Sequence, residues 1–262
     1  MLFEADLEEP RVLPLPCGAA AIFSRPNPVF EKPNQDAAAV IPAGPDDVIL
    51  VVADGMGGTR QGGAAAATVI RQIAGKFPVE PDELLVRTAI LNGIEEANQK
   101  VLAEFPSSGT TLAAVEIKNH TIRPYHVGDS VIIVVGQRGK LKLQTISHSP
   151  VGFAMEAGLL DEKEALQHDE RHIISNAVGL AEMRIELGAP LELARHDTVL
   201  LASDGLTDNL RLEEIVDHIR TGPLQKGLAE LATLARKRMN DPAPGKPSKP
   251  DDLTILAYRR EG

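Results

Sequence analysis

Short apolar runs recur along this chain, and each ends at residues typical of turns. The runs cover residues 48–53, 111–117, 121–127, 131–135, 140–145, 198–203 and 253–258. Two neighbouring pairs of runs are separated only by residues 118–120 and 136–139, a spacing typical of β-hairpins. The pattern therefore predicts strands that pair in an antiparallel meander.

Helical periodicity fills the longer intervals between these runs. The predicted helices cover residues 62–77, 81–105, 212–219 and 224–239. The second of them begins with Pro81, Asp82 and Glu83, which form a favourable first helical turn. Strands in a block with long helices inserted predict an α+β fold, in which a sheet-on-sheet core is covered by helices.

We expect one domain over residues 1–262, because this length is long for one domain and short for two. Residues 1–16 mix acids and prolines with apolar residues and are interpreted as an N-terminal extension. Residues 241–250, DPAPGKPSKP, are the one linker-like stretch. Since a final strand follows them, they are interpreted as a Pro-rich loop within the domain.

Composition argues against several classes of function. The net charge of −10 would repel nucleic acids and anionic membranes, and an aromatic content of 3% without Trp offers few stacking surfaces for bases. Cys17 is the only cysteine, so neither an internal disulfide nor a Cys-based zinc site can form. With no signal-peptide pattern and no apolar run of about 20 residues, we expect a cytoplasmic protein.

Aspartates stand at the ends of several predicted strands. Asp54 and Asp204 each follow an apolar run and precede a glycine, whereas Asp251 and Asp252 precede the last run. In antiparallel neighbours the end of one strand lies beside the start of the next. We therefore expect Asp54, Asp204 and Asp251 to meet at one rim of the sheet.

Clustered carboxylates repel one another unless a cation lies among them. Hard divalent ions such as Mg²⁺ and Mn²⁺ prefer oxygen ligands, so a metal site explains the cluster. The alternative is that Asp-Gly is an ordinary turn dipeptide. The repetition of strand followed by Asp-Gly, together with the Asp pair at 251–252, favours the metal site.

These residues resemble the motifs of the metal-dependent PPM (PP2C-like) family of serine/threonine phosphatases. The motifs follow in family order at residues 34–37 (NQDA), 54–58 (DGMGG), 108–111 (SGTT), 126–130 (HVGDS), 148–149 (HS) with 176–179 (NAVG), 203–206 (SDGL) and 251–254 (DDLT). The resemblance spans most of the chain. It implies a central antiparallel β-sandwich flanked by helix pairs in α-β-β-α layers, with a flap at residues 149–181.

The resemblance also implies a set of metal ligands that double as catalytic residues. Asp54 is expected to bridge two cations, and the carbonyl of Gly55 to bind one of them. Asp204 and Asp251 are expected to hold the other cation. The implied cofactors are two or three Mn²⁺ or Mg²⁺ ions, and the implied reaction is attack on a phosphate ester by a water that bridges two of them.

Two further aspartates complete the implied site. Asp36 is expected to act mainly through metal-bound water, and Asp129 to bind a looser third ion together with Asp204. The implied function is hydrolysis of phosphoserine and phosphothreonine in proteins, and the implied partner is a serine/threonine kinase whose action it opposes. We expect a monomer that binds neither nucleic acid nor membranes.

The chain departs from the family pattern at positions that contact substrate. Glu31 stands where relatives carry a phosphate-gripping Arg, and we expect the adjacent Lys32 to bind substrate phosphate without the bidentate geometry of Arg. Met56 stands where some relatives carry a His that could act as an acid, and Asp252 replaces the usual Asn.

Two other functions remain open at this point. The lost Arg also fits a non-catalytic signalling module that kept the fold and some metal affinity. A hydrolase of small phosphorylated metabolites would use the same aspartates. His168 and His172 have the spacing of a zinc helix, but the expected Glu after the first His is missing, which favours a solvated face.

Overall fold

The computed structural model describes residues 1–15, 18–56, 61–77 and 86–261. In chain order the strands are β1 (Leu2–Phe3), β2 (Arg11–Leu15), β3 (Gly18–Arg25), β4 (Ala37–Pro42), β5 (Val48–Ala53), β6 (Gly55–Met56), β7 (Gly109–Thr110), β8 (Leu112–Lys118), β9 (Thr121–Val127), β10 (Val131–Val135), β11 (Leu141–Gln144), β12 (Glu186–Leu187), β13 (Leu191–Glu192), β14 (Thr198–Ala202) and β15 (Leu253–Arg260). The helices are α1 (Gln61–Ala74), α2 (Val86–Glu104), α3 (Pro150–Glu156), α4 (Glu162–Ala165), α5 (Asp204–Thr207), α6 (Leu212–Ile219) and α7 (Leu224–Asn240).

The strands form two large antiparallel sheets. The first sheet has the order β1-β4-β5-β8-β9-β12, with β13 also paired to β9, and the second has the order β11-β10-β14-β15-β3-β2. β6 and β7 form a separate pair. The predicted extension at the N-terminus contributes an edge strand to each large sheet, because β1 pairs with β4 and β2 pairs with β3.

The side chains of β5 alternate between two hydrophobic clusters, which shows how the layers form. Leu50 and its neighbours at every second position face the second sheet, whereas Val51 belongs to the cluster that packs against α1 and α2. A third cluster packs the far face of the second sheet against α6 and α7, for example at Leu228. Each buried Leu or Ile contributes about 1.5–3 kcal/mol. The predicted α-β-β-α sandwich is confirmed.

The chain passes from one sheet to the other between β9 and β10. Gly128, Asp129 and Ser130 make this crossing, with Gly128 at φ +101°. A Cβ at Gly128 would lie 2.8 Å from the Thr111 side chain, so glycine is required on both counts. The predicted meander is therefore wrong at this point, because its β9–β10 step joins two sheets instead of extending one.

No described helix combines the length and the apolar character that a membrane span requires.

Candidate active site

Two aspartates lie at one rim of the first sheet. Asp36 directly precedes β4 and Asp54 directly follows β5, and the strands pair there through Ala37 and Ala53. This pairing places the two acids side by side. The Asp36 side chain is buried, with 2% of its surface exposed, and Asp54 is partly buried.

The second sheet brings two more aspartates to the same rim. Asp204 follows β14 after Ser203 and begins α5, and Asp251 lies just before β15. β14 and β15 are antiparallel neighbours with Ala202 opposite Ile255, so the end of one lies beside the start of the other. The expected convergence occurs, but it joins two facing sheets and not one.

Hydrogen bonds tie the two sheets together at this rim. Ser203 Oγ donates to Asp36 Oδ2 over 2.7 Å, and the same Ser203 oxygen accepts from the Thr254 amide. Asp252 accepts the backbone amides of Asn27 and Gln35, each over 2.7 Å. Asp252, which replaces the usual Asn, therefore fastens the loop before Asp36 to the start of β15.

A cavity of about 360 Å³ opens between these acids and the flap. Its lining residues come from the rim, the sheet crossover and the flap. They are Asp54, Gly55, Met56, Asp129, His172, Ile174, Ala177, Leu180, Asp204 and Asp251. The flap that the sequence predicted thus faces the acidic rim, and Asp129 joins Asp54, Asp204 and Asp251 around one space.

The electrostatics of the rim are those of crowded, poorly hydrated carboxylates. Burial raises the pKa of Asp54 well above its usual range, and the charges of Asp36, Asp204, Asp251 and Asp129 raise it further. Burial also raises the pKa of Asp129 to about 8 and of Asp251 to about 7, with Asp204 the next cause in both. Holding all these groups ionised at neutral pH requires added positive charge.

Several oxygens at this rim have no hydrogen-bond partner among the residues that the structure describes. They are Oδ1 of Asp36, Asp129 and Asp204. Buried carboxylate oxygens without donors are costly unless a cation binds them. An all-oxygen donor set of this kind suits Mg²⁺ or Mn²⁺, so the residues present fit the divalent ions that the sequence predicted.

Gly55 is held in a tight backbone contact beside Asp54. A Cβ at this position would lie 2.3 Å from the carbonyl carbon of Gly62 in α1 and 2.7 Å from the Gln35 carbonyl oxygen. A side chain would push α1 and the Gln35 loop away from the rim. The glycine therefore allows three backbone segments to meet next to the acids.

Sequence reasoning missed two charged residues of the site. The Lys249 ammonium lies 2.5 Å from Asp204 Oδ2 and 2.8 Å from Asp208 Oδ2. Asp208 lies one helical turn after Asp204, and Lys249 lies two residues before Asp251. These spacings were visible in the sequence, but an Asp and a Lys in a polar context carry no signal that distinguishes them from surface charge.

A separate group of possible metal ligands lies beside the crossover. One nitrogen each of His126 and His148 and one oxygen of Glu186 lie within 4.8 Å of one another. His148 Nδ1 accepts from the Gly128 amide and from Asn176 Nδ2, so its Nε2 carries the proton and donates to Glu186 over 2.8 Å. The Nε2 lone pair is thus unavailable to a metal, and the hydrogen bonds favour a structural role.

That structural role concerns the flap and the crossover together. His148 bonds Gly128 through both its ring and its own amide, and it accepts from Ser175. Asn176 is oriented by Arg184, whose amide donates to Oδ1 and whose carbonyl accepts from Nδ2. Both ends of the flap are therefore anchored next to Asp129. Burial lowers the pKa of His148, which keeps the ring neutral.

The predicted substrate residue, Lys32, is exposed on the loop before Asp36. Burial raises the pKa of Asp252, and the charge of Lys32 opposes that rise, so Lys32 lies on the same side as the rim, but it is not among the residues that line the cavity. Glu31 is exposed beside it. The role of Lys32 stays a prediction.

Some predicted features lie outside the described residues. They are Cys17, Gly57, Gly58 and the first turn of the helix predicted to begin at Pro81. His172 of the HDERH segment lines the cavity, whereas Ser130 and Ser203 are engaged in hydrogen bonds at strand ends.

Comparisons with known proteins agree on one family. The family model described as "Protein phosphatase 2C" matches residues 30–238. A serine/threonine phosphatase stp of Listeria monocytogenes is 30% identical over 87% of this chain and 90% of its own length. The serine/threonine phosphatase of S. agalactiae superposes with a TM-score of 0.79 at 29% identity, over 92% of this chain and 99% of that one.

A further solved structure bears on the cofactor. The catalytic domain of the serine threonine protein phosphatase PstP, described in complex with 2 manganese ions, superposes with a TM-score of 0.72 at 26% identity. The superposition covers 93% of this chain and 98% of that chain.

Proposed function

Since the chain belongs to the protein phosphatase 2C family, we propose that its acidic rim is a divalent-metal centre that hydrolyses phosphoserine and phosphothreonine esters in proteins. The activity is that of a metal-dependent serine/threonine phosphatase, a phosphoric monoester hydrolase. The observation that carries the proposal is the set of buried carboxylate oxygens on Asp36, Asp129 and Asp204 that have no partner among the described residues, two of which, on Asp129 and Asp204, belong to the lining of one cavity.

Mn²⁺ or Mg²⁺ would be held by Asp54, Asp204 and Asp251, with the Gly55 carbonyl, Asp36 and Asp129 completing the donor set. When bound, the cations supply Lewis acidity toward phosphoryl oxygens and lower the pKa of water. The solved relative described with manganese supports this choice of cofactor.

The chain itself orients the donors and shapes the space above them. Ser203 donates to one oxygen of Asp36, and the other oxygen has no partner among the described residues. Because both sheets contribute to the rim, the aspartates cannot easily move apart. Met56 lines the cavity but has no proton to give, so it cannot act as a general acid. The flap residues Ile174, Ala177 and Leu180 give the cavity an apolar wall that reduces access of water.

We further propose that the substrate is a phosphorylated protein, modified by a serine/threonine kinase whose action this enzyme reverses. The open face of the cavity and the exposed loop with Lys32 suit an extended phosphopeptide better than an enclosed metabolite. A monomer in the cytoplasm remains the expectation from the sequence.

The test is hydrolysis of p-nitrophenyl phosphate and of a phosphothreonine peptide, measured in parallel. We expect both reactions to require Mn²⁺ or Mg²⁺ and to stop with a chelator. Asp46→Asn is the matched control for substitution of Asp54 by Asn, because Asp46 is an exposed carboxylate that precedes β5, whereas Asp54 follows it. Metal-independent hydrolysis would contradict the proposal.

The two substrates also separate the alternatives. Activity toward p-nitrophenyl phosphate alone would move the assignment to a small phosphorylated metabolite. Activity toward neither, with metal still bound, would favour a non-catalytic module.

A further inference from the structure

Lys249 places a positive charge inside the acidic rim. Its ammonium nitrogen lies 2.5 Å from Asp204 Oδ2, 2.8 Å from Asp208 Oδ2 and 3.4 Å from Asp251 Oδ2. The lysine side chain is only 24% exposed. An ammonium surrounded by three carboxylates occupies a place in which a solution cation would otherwise be stabilised.

The loop that carries Lys249 is fixed by buried hydrogen bonds. Asn209, which has no exposed surface, donates to the Lys249 carbonyl over 2.8 Å and accepts from the Lys249 amide over 2.9 Å. Arg238 donates to the Asn209 carbonyl, and Ser248 donates to the Arg238 carbonyl. These hydrogen bonds fix the backbone of Lys249, and the fixed backbone places its side chain at the rim.

The ammonium stays charged in this position. Three carboxylate oxygens lie within 3.4 Å of its nitrogen, and an opposite charge at this distance favours the charged form of a lysine. Since the cation is covalently tethered, it is present at a high effective concentration, on the order of millimolar for short links. A divalent ion in the same place would have to displace it.

The rim consequently has two sides. On the inner side, the charges with the largest effect on Asp54 are all carboxylates, namely Asp36, Asp204, Asp251 and Asp129. On the outer side, Lys249 bonds Asp204 Oδ2 and pairs with Asp208, while Asp204 Oδ1 remains unpartnered. Asp204 can therefore offer Oδ1 to an inner divalent ion and keep Oδ2 on the lysine.

We propose that the Lys249 ammonium permanently fills the outer cation position between Asp204 and Asp208 and takes the place of the third ion that the sequence predicted at Asp129 and Asp204, so that the chain binds divalent ions only at the inner acids. The inference rests on the proposed metal centre. It assigns to Lys249 a positioning role, because the ammonium holds Asp204 while contacting no reacting atom.

The experiment counts bound Mn²⁺ per chain, by calorimetry and by metal analysis after equilibrium dialysis at saturating Mn²⁺. Wild type is expected to bind two ions. Lys249→Met, which keeps an unbranched side chain without the charge, is expected to bind a third, and Asp208→Asn added to it should remove that third ion. Lys246→Met is the matched control, since Lys246 is an exposed lysine of the same loop that faces Glu214 at 3.9 Å, and it should bind two.

The ion counts test the role of Lys249 separately from the existence of the metal centre. Three ions in wild type, or two in Lys249→Met, would overturn the role of Lys249 while leaving the metal centre intact. No binding in any variant would overturn the proposed metal centre instead. If Lys249→Met does not fold, Lys249→Gln replaces it, and a wild-type count of three still overturns the inference.

Discussion

Two strands of this protein are followed by the same dipeptide, Asp-Gly, and then differ. β5 ends at Ala53, and Asp54 leads into the short strand β6, which begins at Gly55; β14 ends at Ala202, and Asp204 begins α5 after Ser203. Both glycines are needed for close backbone contact, since a Cβ would lie 2.3 Å from Gly62 in the first case and 1.9 Å from the Asp252 carbonyl oxygen in the second.

Both aspartates lie among carboxylates, but only Asp204 is also paired with a lysine of the described chain. Asp54 is surrounded by carboxylates that raise its pKa, and Asp204 is ion-paired with Lys249. The same local sequence therefore gives one acid that depends on an external cation and one that the chain partly neutralises itself. The difference arises from residues far away in sequence, because Lys249 follows Asp204 by 45 positions.

The largest expected effect tests whether both acids serve the reaction. Asp54→Asn and Asp204→Asn should each lower kcat/KM by more than about 100-fold, the upper end of what loss of an outer partner of a metal ligand costs. The loss should be greater for Asp54, because the charges that act most strongly on it from the described residues are all carboxylates. Steady-state hydrolysis of p-nitrophenyl phosphate at saturating Mn²⁺ measures both. Retained activity in Asp54→Asn would break the assignment of the inner site.

In the metal-free protein, the free energy of unfolding should depend on pH through the crowded acids around Asp54. The folded protein binds protons on Asp54, on Asp129 with a pKa of about 8 and on Asp251 with a pKa of about 7, whereas the unfolded chain titrates near about pH 3.9. These groups therefore stabilise the fold fully below about pH 4, and their contribution is lost as pH rises toward about 8.

Urea unfolding in chelator across this range measures that loss. Asp54→Asn should flatten the pH profile, because it removes one of the carboxyls responsible, whereas Asp46→Asn should follow wild type. A metal-free wild-type protein that becomes more stable as pH rises through the window would contradict the burial and crowding of these acids.

Metal-free stability at neutral pH should move in opposite directions for the two aspartates. Asp54→Asn removes a repelled carboxylate and should raise the free energy of unfolding by about 0.5–2 kcal/mol, a typical gain when a functional site is relaxed. Asp204→Asn removes a partner of Lys249 and should lower it by about 1–2 kcal/mol, less than for a fully buried pair because Asp208 and Asp251 remain. Denaturant unfolding in chelator measures both, and equal signs would refute the contrast.

The sequence predicted much of the scaffold, because alternation and turn residues are local signals. β5, β9 and β10 begin and end where their apolar runs do. β3 and β4 were missed, since GAAAIFSR and AAAVIP carry alanines that favour helices by intrinsic propensity. Burial between two sheets overrides that propensity, and only the assembled sandwich reveals it.

The site was predictable to the extent that motifs mark strand ends. Asp36, Asp54, Asp129, Asp204 and Asp251 were all named, and the structure brings them to one rim. The direction of a lysine side chain depends on the loop that carries it. That loop is fixed by Asn209, 40 residues before it, so spacing alone gave no reason to place Lys249 among the acids.

The smallest effect concerns the other lysine of the rim. Unlike Lys249, Lys32 is exposed, and its charge acts on the nearby carboxylate of Asp252. If it binds substrate phosphate, Lys32→Ala should raise KM a few-fold and leave kcat nearly unchanged, since exposed charge pairs contribute about 0.2–1 kcal/mol. Lys32→Arg should restore or improve KM through bidentate contact. An unchanged KM for the phosphothreonine peptide in Lys32→Ala would contradict this role, and phosphate binding would then be assigned to the cations.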